Sequence, residues 1–140
     1  MKEYSTRKYI KYIQVNITCP NIESADKIST ALVNRKLVSC VQITDTIKSV
    51  YLWNWKIEKN HELILTAKTR ARYFLTIEKT VKDLHPYTTP EIIALPIIKW
   101  SNEYLRWIDE SLGLKTVDFE NDTVIKEDKK NTTEKTKIKI

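Results

Sequence analysis

Glycine is nearly missing from this chain: Gly113 is the single one in 140 residues, where average usage near 7% gives roughly ten. One glycine excludes phosphate-cradling loops of the dinucleotide and Walker kinds, because each needs several. Cysteine and histidine are scarce as well. Cys19, Cys40, His61 and His85 are the whole complement, which excludes a disulfide framework and a paired-cysteine zinc module. His61-Glu62 lacks the second histidine of a zinc-protease helix. No apolar run approaches a membrane span; residues 92–98 supply only seven. The opening MKEYSTRKYIKY has no apolar signal core. The expectation is therefore a cytoplasmic protein in a reducing compartment with no membrane partner, an organelle remaining open if a transit peptide has been removed.

What is present is enough for a core. The chain is 41% hydrophobic and 30% charged, the balance of a folded domain with a solvated surface. Its length buries about two-thirds of its extended surface. The net charge of +6 sits mostly at the ends: residues 1–12 carry +3, residues 113–140 carry +1, and the hundred residues between carry only +2. A nucleic-acid binder concentrates Lys and Arg on one face of its folded part, so no nucleic-acid partner is expected. The division follows: a domain over 1–112 with a basic extension at 1–8, then a charged, mobile tail over 113–140 carrying a short strand near Val117 or Val124.

Two periodicities alternate along the domain. Residues 9–17 (YIKYIQVNI) are apolar at every other position, which predicts a strand. Pro20-Asn21 ends it, and Asn21 caps a helix to about Lys36 with Ile22, Ala25, Ile28 and Leu32 on one face. A second strand starts over 37–44, is interrupted at Asp45-Thr46 by a bulge or turn, and continues over 47–57. There Tyr51, Trp53 and Trp55 alternate on one face and Val50 and Leu52 on the other, so both faces need cover, from a helix or from another chain. A hairpin turn at 58–61 leads to a strand over 62–69, then a helix over 71–84 with Phe74, Ile77, Val81 and Leu84.

Pro86 and Pro90 forbid helix in the loop that follows. A fourth strand over 92–98 is continuously apolar, as suits a central or doubly covered position. Ser101 or Asn102 caps a last helix bearing Tyr104, Leu105, Ile108 and Leu112, and Gly113 stands at its C-cap. The order β-α-β-β-α-β-α with right-handed crossovers is an α+β, ferredoxin-like antiparallel sheet with helices on one face. The aromatic stripe on the other face calls for oligomerisation.

The residues from 17 to 112 resemble the CutA divalent-cation tolerance proteins. Thr18 and Pro20, Ser39-Cys40-Val41, the hairpin residues Ser49, Tyr51 and Trp53, Lys68-Thr69, His85-Pro86-Tyr87, Pro90-Glu91-Ile92, Pro96, Tyr104 and Trp107 carry that resemblance. It implies a homotrimer similar in architecture to the PII signalling proteins, linked to copper and other divalent-metal tolerance without an agreed reaction. It also implies an intersubunit cleft lined by such residues as Trp53, Lys68, Tyr87 and Glu91. Trp55 and Trp100 stand where that family usually has glycine, filling space at turns and reshaping the clefts. Thr88 stands where the family often has Glu or Gln, which removes an oxygen ligand beside His85.

The chemical residues have two readings each. His85, stiffened by its neighbouring prolines, is either a copper or zinc ligand or a cap on the last carbonyls of the preceding helix. Cys19 lies just before a helix N-terminus, where the dipole favours thiolate; it is either a soft ligand for Cu(I) and oxidation-prone, or a small side chain at a strand end. Cys40 reads as core and His61 as solvated. Lys68 and Glu91 form either a small-anion or metabolite site or an interface ion pair. Glu58, Glu62 and Glu91 are acids whose mutual approach the spacing does not decide. No nucleophile, base and orienting group stand in a readable pattern, so no enzyme is expected. The reading is a homotrimer binding a divalent metal ion, Cu2+ or another, with no required cofactor; the alternative is a PII-like sensor or scaffold that holds a metabolite in its clefts and meets a protein partner.

Overall fold

The computed structural model describes residues 10–115 and the backbone of two short strand segments beyond them. The basic extension at 1–8 and most of the tail after 115 lie outside the described residues. Strand β1 (Tyr12–Cys19) is followed by helix α1 (Ile22–Asn34), strands β2 (Cys40–Trp53) and β3 (Lys56–Arg70), a 3-10 turn at Ala71–Tyr73, helix α2 (Phe74–Leu84), strand β4 (Ile92–Pro96) and helix α3 (Asn102–Ser111). Strands β5 (Val117–Asp118) and β6 (Thr123–Val124) form a separate two-stranded pair, at the places where the tail was expected to turn extended. The main sheet has the order β2-β3-β1-β4, antiparallel throughout, which is the ferredoxin-like α+β arrangement.

Local chemistry sets the ends of the helices. The Asn21 carboxamide accepts from the Ser24 N–H at 2.9 Å and satisfies a donor that the first turn leaves unpaired. Ser101 does the same for Tyr104 at 3.3 Å. Gly113 adopts φ +72°, and the Leu114 N–H reaches back to the Asp109 carbonyl at 2.8 Å, a glycine-dependent C-cap.

The odd residues of β1, from Ile13 to Cys19, are buried against Ala25, Ile28 and Leu32 of α1 and Ile77 and Val81 of α2. This is the main core. Helix α3 departs from the expectation of helices on one face. It packs Leu105, Ile108 and Leu112 on Tyr12, whose side chain alternates to the opposite face from Ile13. Asp109 of α3 is fully buried there, takes the Tyr12 hydroxyl proton as a hydrogen bond, and pairs with Arg70 Nη1 at 2.8 Å. An acid inside an otherwise apolar helix stripe is the sequence trace of this network.

The hairpin differs most from expectation. Residues 58–61 are not a turn; they continue β3, with Glu58 opposite Tyr51 and His61 opposite Lys48. The turn is Asn54-Trp55, both at positive φ (49° and 63°), the signature of a two-residue hairpin loop. Trp55 therefore leaves the aromatic stripe and stands at the tip, 91% exposed. The Asp45-Thr46 interruption is a register shift between Asp45 and Ile47. Strand β1 pairs with β3 only from Leu63 onward. Among the described residues, 47–53 and 56–62 thus form an arm paired only with itself, extending roughly 23 Å past the sheet at ~3.3 Å per residue. Strand β4, expected to be central or doubly covered, is an edge strand of this chain, with Ile93 and Leu95 half-exposed. Its apolar run marks a surface that needs cover and is silent about which chain supplies it.

Candidate ligand cleft

At the base of the arm, the open face of the sheet meets the proline loop in a cavity of about 650 Å³. Strand β1 contributes Thr18, the arm contributes Ser49, Tyr51, Trp53, Glu58 and Glu62, and the loop contributes Tyr87 and Glu91. The three acids that spacing left unassigned, Glu58, Glu62 and Glu91, thus line one cavity. Alternation on β3 puts Glu58 and Glu62 on the same side, and the loop brings Glu91 from a position 29 residues further on. Thr88 and Thr89 complete the loop side. Trp53, Tyr87 and Glu91 all line this cavity.

Lys68 does not join them. It lies six residues along β3 from Glu62 and donates to Gln42. Trp55 and Trp100, expected to reshape the clefts, line none of this one: Trp55 is at the arm tip, and Trp100 packs by Tyr12 with ring centroids 6.4 Å apart.

His85 supports the cleft from behind. It is buried, 8% exposed, and its backbone N–H closes α2 on the Val81 carbonyl at 2.8 Å. Its ring bonds elsewhere than the helix carbonyls. Nδ1 accepts the Tyr87 N–H at 3.0 Å, so Nε2 carries the proton and donates to the Thr18 carbonyl at 2.7 Å. Both nitrogens are engaged, and neither offers a lone pair to an ion in this arrangement. Tyr87 in turn donates its hydroxyl to Glu62 Oε2 at 3.1 Å. Burial, and then the Glu62 carboxylate, push the Tyr87 hydroxyl up to about 12. The sequence Thr18–His85–Tyr87–Glu62 is one hydrogen-bonded line that fixes the loop to the arm.

At Cys19 burial opposes the helix dipole. It is fully buried, and burial pushes its thiol up to about 11 against a smaller opposing hydrogen bond from Ser24. The loss of hydration at a closed strand end outweighs the helix dipole, so the group is a thiol and not a thiolate at neutral pH. Cys40 is half-buried and lies 3.7 Å from the Tyr104 hydroxyl. Among the described residues, no three His, Cys, Asp or Glu side chains converge as a metal site. No helix among them is long and apolar enough to cross a membrane.

Fold and cleft together define the class: a ferredoxin-like α+β protein with a projecting β-arm and an acid-lined cleft at its root. The profile described as CutA1 divalent ion tolerance protein matches residues 13–111, and the chain belongs to that family. It is 43% identical over 99 residues to the divalent-cation tolerance protein CutA of Thermus thermophilus, covering 71% of this chain and 96% of that one. It is 42% identical over 98 residues to the protein of the same name from Archaeoglobus fulgidus, covering 70% and 95%. Among solved structures, CutA1 of Oryza sativa superposes with a TM-score of 0.71 at 36% identity, covering 73% of this chain and 94% of that one. Relatives named chloroplastic (Arabidopsis thaliana) and periplasmic (Archaeoglobus fulgidus) show that membership does not fix a compartment. The family is named for tolerance, not for a reaction.

Proposed function

We propose that the protein works as a homotrimer in divalent-cation tolerance, each subunit laying its β2–β3 arm on a neighbour, with copper(II) or another divalent ion met at the clefts. The observation that carries this reading is the arm. Among the described residues it is paired only with itself, and both its faces are apolar, with Val50 and Leu52 each 59% exposed and Ile57 71% exposed on one side and Tyr51 and Trp53 on the other. An isolated hairpin is marginal in water, and exposed apolar surface of this kind marks an interaction site. A neighbouring subunit covers it and also the open edge at Ile93 and Leu95.

In that assembly a divalent ion takes Glu62 as an oxygen ligand together with groups of another subunit, because the acids of one chain do not converge on a point by themselves. His85 acts by holding Tyr87, and through it Glu62. Lys68, roughly 20 Å along the strand from Glu62 at ~3.3 Å per residue, meets a cleft only across a subunit boundary. The role is that of a binding protein and not an enzyme.

Light scattering on the eluting protein should give three times the 16.5 kDa chain mass. Calorimetric titration of the chelator-stripped protein with copper(II) should give a fixed ratio per subunit at roughly micromolar or tighter affinity, lost in Glu62→Gln and weakened in His85→Ala. A monomeric mass, or weak binding at no fixed ratio that ignores both substitutions, sinks this function.

A second reading has the clefts hold a small metabolite, as in a PII-like sensor. Its support is the size of the cavity: about 650 Å³ falls in the range that encloses small organic molecules.

A further inference from the structure

The hydrogen-bonded line from Thr18 to Glu62 holds in one protonation state of His85 alone. Thr18 presents a carbonyl, which only accepts, and Tyr87 presents an N–H, which only donates. The ring between them has to be neutral, with its proton on Nε2. An imidazolium carries a proton on both nitrogens. Its Nδ1–H would then meet the Tyr87 N–H across the present 3.0 Å, donor against donor, and the two have to part. Histidine is the side chain that changes charge between about pH 5 and pH 8, so mild acid is the signal to which this geometry answers.

Burial decides which side gives way. His85 is closed in, and its bond to the Thr18 carbonyl at 2.7 Å is one that an imidazolium keeps. Tyr87 is 37% exposed, so water can take its N–H in place of the ring. The loop therefore moves, and the Tyr87 hydroxyl leaves Glu62 with it. The titratable groups around the ring come from each neighbouring element. Cys19 follows Thr18 on β1, Glu62 of β3 lies beyond the Tyr87 hydroxyl, and Glu91 belongs to the loop side of the cavity. On the last turn of α2, Asp83 and Lys82 are exposed, with Lys82 paired to Glu78 at 3.6 Å. The Cys19 thiol and the Tyr87 phenol, pushed up to about 11 and about 12, stay uncharged throughout this range.

We propose that His85 is an acid-operated latch. Neutral, it pins the proline loop to the arm through Tyr87 and Glu62; protonated, it releases Tyr87 and opens the loop side of the cleft. Both bonds of the ring run to backbone atoms of its own chain, so a neighbouring subunit at the cleft neither supplies nor replaces them. The inference rests on this line and not on the metal, the metabolite or the trimer.

The test follows the full-length, chelator-treated protein by NMR from about pH 8 to about pH 5. The His85 ring is observed at its Cε1–H, with exposed His61 as the reference ring. Corrected for the intrinsic rate, protection of the Tyr87 amide against hydrogen exchange should fall about tenfold in step with the His85 ring, as the loss of one hydrogen bond provides. Amides of β1 and α1 should stay protected. His85→Asn, whose side-chain oxygen can accept the Tyr87 N–H and takes up no proton, should abolish the step, and His61→Ala should leave it in place. Unchanged Tyr87 protection across the range, a step that tracks His61 or survives in His85→Asn, or a loss shared by α1 each overturns the proposal. Should His85→Asn fail to fold, the comparison of the two rings in the wild type decides it. The mass and copper measurements above are separate readouts, so a trimer that binds copper but shows no step at Tyr87 refutes this inference alone.

Discussion

At the scale of single residues, burial decides the chemistry that position in sequence suggests. Cys19 stands before a helix N-terminus, yet its thiol is pushed up to about 11 because a thiolate there would lose its water. The folded state therefore holds this proton more tightly than the unfolded chain. The contribution to stability is fully present below the ordinary thiol range and is lost as pH rises through about 11. Between pH ~9 and ~10, before the raised tyrosines titrate, wild-type stability should fall by up to about 1.4 kcal/mol per pH unit more steeply than that of Cys19→Ala. Parallel denaturation midpoints across that window would refute the assignment. His85 offers the same lesson: a residue that its place in the sequence offers as a ligand has both ring nitrogens engaged in hydrogen bonds here.

At the scale of elements, turns and inter-element pairs carry the departures from expectation. Trp55 sits at φ 63° in the arm's turn, where a side chain crowds its own backbone at a cost of about 1–2 kcal/mol. Trp55→Gly should raise stability by about 1 kcal/mol, read from the shift in urea midpoint. No gain would mean that the indole makes contacts in the assembly that offset the strain. Helix α3 is anchored through Asp109, held by Tyr12 and Arg70 from β1 and β3. Asp109→Ala leaves the Arg70 guanidinium, only 12% exposed, without its partner, and should lower stability by about 3–5 kcal/mol. A loss below about 1 kcal/mol would show that water replaces the pair at little cost.

At the scale of the whole molecule, one chain leaves apolar surface uncovered. Its arm and its β4 edge expose apolar side chains that no element among the described residues covers. For the trimer proposed above, mass action makes stability depend on protein concentration, so a melting temperature that rises with concentration should accompany the trimeric mass. The α1/α2 core of the subunit was readable from the periodicities at Ile13 to Cys19 and Ala25 to Leu32, because strand and helix repeats report directly on which face is buried. The arm was misread at residues 58–61, since a strand with neither face buried in its own chain carries no such repeat. The side of the sheet that α3 occupies was invisible for another reason: periodicity tells that a face is buried and not against what.

The sequence alone determined the element order, the caps at Asn21, at Gly113 and at Ser101 or Asn102, the main core, and the motifs around Cys40, His85 and Glu91 that place the chain in its family. These are local properties, set by a few adjacent residues and their intrinsic preferences. Only the tertiary structure decided that Glu58, Glu62 and Glu91 share a cavity, that Lys68 lies apart from them, that both nitrogens of His85 are occupied, and that Cys19 keeps its proton. Each of these depends on distances between segments far apart in the chain, and on the water those segments exclude.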